Sequence, residues 1–271
     1  MRLFRSNLRR LSRRPATLVT YLLLAGLMLL LMVALAAAAL AGSDPQSAVA
    51  SRLILTFPGA WRLALVMVVS VGGLISLTYG AAIAGAEWSW GTLKTAVARG
   101  ESRPGYVLAG IAGAVVMAWG GALLAYLAAI AGALAAAGAA HVSHSALIDA
   151  PTAGDLPALL GRAALALAMD TSIGYAVATV ARSQLAGIGA GIGLYIGEGI
   201  IGAFVPGVVR WAPFAASSAM LAGGSPERTG SAAALVGPSL DAGTATVVVV
   251  VWLLLAAGFA ALWTERAEIG G

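Results

Sequence analysis

Asp170 and Glu198 are the ionisable side chains placed deepest inside apolar runs, so they are the first candidates for chemistry. A carboxylate at the centre of a bilayer costs about 2.5–3.5 kcal/mol on insertion scales, so each should face protein or trapped water. One reading is a polar lining of a transport path, or a proton site. The other is a carboxyl held by a neighbouring hydroxyl, with Thr171, Ser172 and Tyr175 as nearby donors. A second cluster spans Glu87 to Pro104, with five charges in 18 residues between two long apolar runs. His141 and His144 sit three apart, with Asp149 and Asp155 after them. They lack a third fixed ligand, so a polar loop is the better reading and no metal site is expected. Gly197-Glu198-Gly199-Ile200-Ile201-Gly202 matches G-x-G-x-x-G, but no strand precedes it, which excludes a dinucleotide site. With no cysteine in the chain, disulfides, thiolate metal sites and cysteine nucleophiles are excluded. The phosphate-cradling pattern G-x-x-x-x-G-K-[ST] is also missing: Lys94 is the single lysine, and Leu93 precedes it. The chain therefore cannot hydrolyse ATP by that device, and it reads as non-catalytic.

The elements that must position these residues follow from composition. Hydrophobic residues make up 60% of the 271, and charged residues only 10%. A soluble domain carries about 25% charge, so a cytosolic globule and a disordered chain are both excluded. A bilayer-spanning helix needs about 20 apolar residues. Six runs qualify, at about 16–41, 62–86, 105–140, 160–181, 183–205 and 242–264. The expected fold is all-α: one polytopic transmembrane domain over residues 1–271. The third run, as one helix, would be about 54 Å long against a hydrocarbon core of about 30 Å. It must tilt, project beyond the membrane or break, with Gly120-Gly121 a weak point. After the fifth run, Pro206-Gly207 and Pro213 argue against a straight helix and for a re-entrant segment before span six.

Residues 1–14 form a basic segment with Phe4, Leu8 and Leu11 on one side of a helical wheel and most arginines opposite. That predicts a helix lying along the bilayer surface, against anionic lipid rather than nucleic acid. The apolar run after Pro15 is too long for a signal-peptide core, so it is read as a retained span. With the N-terminus inside, the inner segments hold Arg2, Arg5, Arg9, Arg10, Arg13, Arg14, Lys94, Arg99, Arg103, Arg182 and Arg266. The outer segments hold Arg52, Arg62, Arg162, Arg210 and Arg228. Eleven basic residues against five predict that both termini face the cytoplasm. Trp88 and Trp90 suit the headgroup zone. Thr92 to Ala98 can form a short helix, closed by Gly100 and Pro104. In the fifth run, Gly187/Gly191 and Gly193/Gly197 are small-xxx-small pairs that allow close helix packing.

This pattern resembles the type-2 ABC-transporter permease family. Its members commonly have an acidic residue ending the second span, a Gly-Thr pair, a short helix, and an Arg before the third span. Glu87, Gly91-Thr92 and Arg103 match in order and spacing. The basic N-terminal helix resembles the family's connecting helix, and Ala181-Arg182-Ser183 its tight inner turn. Phe204 to Leu221, with Trp211-Ala212-Pro213-Phe214, looks like its outer re-entrant region. Trp263-Thr264-Glu265-Arg266 resembles its polar tail, without the usual run of basic residues. The resemblance implies an exporter subunit of the bacterial inner membrane, with residues 87–104 as a cytoplasmic coupling loop. Thr92 to Arg99 would seat in a separate ATPase, and Glu87, Gly91, Thr92, Leu93, Lys94, Arg99 and Arg103 would carry the coupling. Glu87 would hold the loop against an arginine of residues 1–14. Two ATPase copies and a second permease copy or homologue would complete the assembly. ATP and Mg would sit on the ATPase, leaving this chain without a cofactor. Two other functions are open on sequence alone: a stand-alone proton-coupled transporter using Asp170 and Glu198, and a membrane scaffold that moves no substrate.

Overall fold

A computed structural model of the chain describes residues 2–41, 59–139, 150–222 and 240–266. All regular structure in them is helical. The order is α1 (Arg2–Ser12), α2 (Pro15–Ala41), α3 (Gly59–Ser89), α4 (Thr92–Ala98) and α5 (Arg103–Ala139). It continues with α6 (Ala150–Ala181), α7 (Gln184–Phe204), α8 (Pro206–Val209), α9 (Pro213–Ala222) and α10 (Ala242–Arg266). Six of these, α2, α3, α5, α6, α7 and α10, are long and apolar enough to cross a membrane. Leu22, Leu30, Leu185, Phe204 and Leu254 stand well exposed on α2, α7 and α10. So many outward-facing large apolar side chains belong in lipid, not water. The fold is that of a multi-pass helical membrane protein.

The bundle is built around α3 and α6. The α6 span is 78% buried, against 17% for α2 and α7. It packs on α3, α10, α7 and α5, while α2 leans on α5 from outside. Two glycines explain the close α3–α6 approach. A Cβ on Gly174 would overlap the carbonyl of Leu77, and one on Gly80 would overlap the carbonyl of Thr171. Only hydrogen at those positions lets the two backbones touch, the small-residue packing available to helices that gain nothing from water exclusion.

The helix ends follow local chemistry. Pro15 opens α2 at its first position, where a missing N–H costs nothing. α4 ends in a Schellman motif: Gly100 (φ 86°) donates to Val97 O at 2.9 Å, and Glu101 N donates to Ala96 O at 3.2 Å. Pro104 does not close α4 as expected from sequence. It sits in the first turn of α5, where proline is tolerated. The 37-residue α5 runs without a break. Gly120 and Gly121 are not a hinge; they make room for Tyr21 of α2, whose hydroxyl donates to Met117 O at 2.6 Å. At about 55 Å, α5 exceeds the hydrocarbon thickness, so it must tilt or project. α6 begins some ten residues before the expected span and carries Pro157 within it.

After α7 the chain turns back on itself. Val205 leaves helical geometry (φ −133°, ψ 62°), α8 makes a single turn, and α9 starts beside Glu198. Glu198 lies six residues before the end of α7, so the return reaches about 9 Å back along it.

Candidate functional site

Four elements meet at Glu87, the last acidic residue of α3. Its side chain is buried, with the residue 3% exposed. Arg10 of α1 forms an ion pair with it through Nη2 and Oε1. Tyr175 of α6 donates its hydroxyl to Oε2 at 2.7 Å. Arg10 also donates to the Tyr106 hydroxyl on α5 at 3.1 Å and to Asn7 Oδ1 at 2.9 Å. One carboxylate thus ties α1, α3 and α6 together, and Arg10 extends the link to α5. The pairing expected with an arginine of residues 1–14 falls on Arg10. It is not the exposed surface pair of small value that sequence alone allows, because the Glu87 end is closed off from solvent. Burial works against charge on Arg10, Glu87 and then Tyr106 work for it, and the net shift is upward. Arg14 is pushed the other way, first by burial and then by Arg10.

The loop below Glu87 is clamped from both sides. The Arg14 guanidinium lies 5.0 Å from the Trp90 ring centroid, and Arg182 lies 5.2 Å from that of Trp88. Such cation–π contacts are worth about 0.5–1 kcal/mol at exposed sites. Arg182 adopts φ 50°, the one non-glycine residue with positive φ among those described; its two-residue turn with Ser183 joins α6 to α7. Gly91 (φ 64°) turns the chain into α4, and Thr92 Oγ1 donates to Glu87 O at 3.2 Å. Leu93 anchors α4 inward. Thr95, Ala98, Arg99 and Gly100 face outward, as does Trp90 at 66% exposure. Arg103 at the start of α5 donates to Glu265 O at 3.2 Å. These contacts gather α1, α4, the α6–α7 turn and the end of α10 at one end of the bundle. Arg62 with Asp155 (3.4 Å) marks the other.

The structure brings Glu87, Gly91, Thr92, Leu93, Lys94, Arg99 and Arg103 to that one end, and separates them from Asp170 and Glu198. Glu198 accepts from Phe214 N at 3.3 Å and from Ala215 N, so it caps the amino end of α9 with both oxygens. Asp170 is 2% exposed and its Oδ1 has no hydrogen-bond partner. The three donors considered for it are committed elsewhere: Thr171 donates to Leu167 O, Ser172 to Ala168 O, and Tyr175 to Glu87. The first two follow the helical habit of hydroxyls bonding the carbonyl four residues back. Tyr175 is five residues on, about 140° around the helix, and points to another face. His141, His144 and Asp149 lie outside the described residues.

Sequence reasoning missed Tyr175 and Tyr106 as partners of the Glu87–Arg10 pair. Nothing local marks a phenol that answers to a carboxylate 88 positions away, as Tyr175 does, or to a guanidinium 96 positions away, as Tyr106 does. It also missed the two Trp–Arg clamps, although all four residues were named for other reasons.

Fold and site together define a multi-pass helical membrane protein with a basic, tryptophan-bearing end held by a buried ion pair. Comparison with protein-family models, with curated proteins and with solved structures finds no match to the chain.

Proposed function

We propose that this chain is the membrane-spanning subunit of an ABC exporter, and that α4 couples it to a separate ATPase. The observation that carries the reading is the Glu87–Arg10–Tyr175 node directly beside an outward-facing seven-residue helix. A push on α4 reaches Glu87 through Gly91 and Thr92, and Glu87 is bonded to α1 and α6 as well as belonging to α3. A short surface helix with no such link would move alone. Here its displacement is shared by the central pair α3 and α6. Leu93 and the two Trp–Arg clamps resist independent motion of the loop. In this reading the α4 end faces the cytoplasm of a bacterial inner membrane, two permease chains meet, and α8–α9 form an outer re-entrant cap. ATP and Mg belong to the two partner ATPases.

A proton-coupled transporter using Asp170 and Glu198 as a pair has less support, since both Glu198 oxygens are engaged by α9 amides. The test is a pull-down of the tagged chain from native membranes. The expected result is a bound chain carrying G-x-x-x-x-G-K-[ST]. Substituting outward positions with Thr95→Glu and Arg99→Glu should remove that ATPase while leaving the melting temperature of the permease unchanged. Recovery of equal ATPase with the variant, or none with the wild type, rejects the proposal.

A further inference from the structure

Between α3, α6, α7 and α9 lies a cavity of about 160 Å³, lined by Ser70, Asp170, Tyr195, Ser217, Ser218 and three aliphatic side chains. That is well above the ~10–15 Å³ needed to admit one water. The lining carries no arginine or lysine. Three of its four hydroxyl hydrogens, all but that of Ser70, are committed elsewhere. Tyr195 donates to Ser70 O at 3.0 Å; Ser217 and Ser218 both donate to Phe214 O, at 2.8 and 3.0 Å. What these groups have left to offer is lone pairs. Asp170 adds a buried carboxyl with an unpartnered oxygen. Gly73 makes room for it: a Cβ there would lie 2.7 Å from Asp170 Oδ2. Glu198 stands three residues after Tyr195 on α7, and the amino end of α9 answers its charge. Among the described residues, Asp170 Oδ1 has no such partner. A pocket walled mostly by acceptors, with a buried carboxyl whose Oδ1 has no donor, leaves polar groups unsatisfied until a donor or a positive charge enters.

We propose that this cavity is a binding site for a small monovalent cation, an alkali ion or a primary ammonium group, held by Asp170 with Tyr195, Ser217 and Ser218 as neutral oxygen ligands. The site lies eleven residues from the α4-proximal end of α6, about 16 Å into the bundle. It does not depend on an ATPase, so it stands or falls apart from the coupling reading.

The full chain in lipid nanodiscs provides the test. Its melting temperature would be followed against sodium, potassium and methylammonium chlorides, with choline chloride as a control whose quaternary nitrogen has no N–H to donate and whose methyl groups hold its charge away from a carboxylate. A ligand that binds the folded state raises the midpoint with concentration. At least one small cation should do so beyond choline, and its identity tells alkali ion from ammonium. Asp170→Asn should weaken the apparent affinity by about tenfold or more, the range expected for a lost bond to a charged group. Should that variant not fold, Ser217→Ala/Ser218→Ala decides, with a several-fold weakening expected. Equal shifts for all four salts, no shift with any, or an unchanged response in the variant that folds, overturns the site.

Discussion

At Glu87 a single acid holds two neighbouring elements to its own, with a third joined through Arg10, and its energetics differ from those of a surface pair. Exposed pairs contribute about 0–1 kcal/mol, whereas removing one member of a buried pair costs about 3–5 kcal/mol. The Arg10 side chain is 30% exposed and that of Glu87 only 4%, so the pair sits between these limits. Arg10→Met should therefore destabilise the fold by about 2 kcal/mol, by leaving Glu87 buried and unpaired. Glu87→Gln keeps an acceptor for Tyr175 and removes the charge, so the double variant should recover part of the loss. A coupling energy of about 1–2 kcal/mol in a double-mutant cycle of melting measurements is the expected result. Strict additivity would show that the two residues do not act as a pair.

The α3–α6 contact is the element-scale feature most sensitive to one atom. Gly174→Ala places a methyl against the Leu77 carbonyl, which backbone cannot evade by changing rotamer. Overpacking typically costs about 1–3 kcal/mol, and a backbone clash belongs at or above the top of that range. Gly161→Ala, also on α6, meets nothing within 4 Å and should be neutral or stabilising by up to about 1 kcal/mol. Melting temperatures of the two variants in one detergent test this directly; similar values would mean that the helices have slack between them. The small-xxx-small pairs of α7 divide in the same way. Gly187 and Gly191 pack on Ala178 and Leu77, whereas Gly193 and Gly197 meet nothing. Spacing identified both pairs, but only the neighbours decide which one is used.

For the molecule as a whole, the basic end carries both described terminal helix ends and the Trp88–Trp90 loop, and the proposed function requires that end to face the cytoplasm, the side the positive-inside rule favours for basic segments. The absence of cysteine makes this simple to check, because a single introduced thiol labels without background. Thr95→Cys should react with a membrane-impermeant maleimide only after cells are opened. Asp155→Cys, at the opposite end and exposed, should react on intact cells. The reverse pattern would invert the topology and remove the coupling loop from any cytoplasmic motor.

The turn at Arg182 was reached only through a family resemblance, whereas the six spans, the amphipathic first helix and the short α4, with Gly100 ending it, were legible in the chain alone. Each depends on local quantities: run length, helical period, or a turn residue whose conformational freedom is its own property. Of the three options for the long third run, a break at Gly120-Gly121 is not the one taken: a tyrosine from another helix fills the space those glycines leave. The roles of the carboxylates were likewise undecided locally. Glu87 became a four-element node, Glu198 a helix cap and Asp170 the acid of an acceptor-lined cavity. A charge in an apolar environment is governed by whichever donors lie within about 3 Å, and in a bundle those donors come from distant parts of the chain.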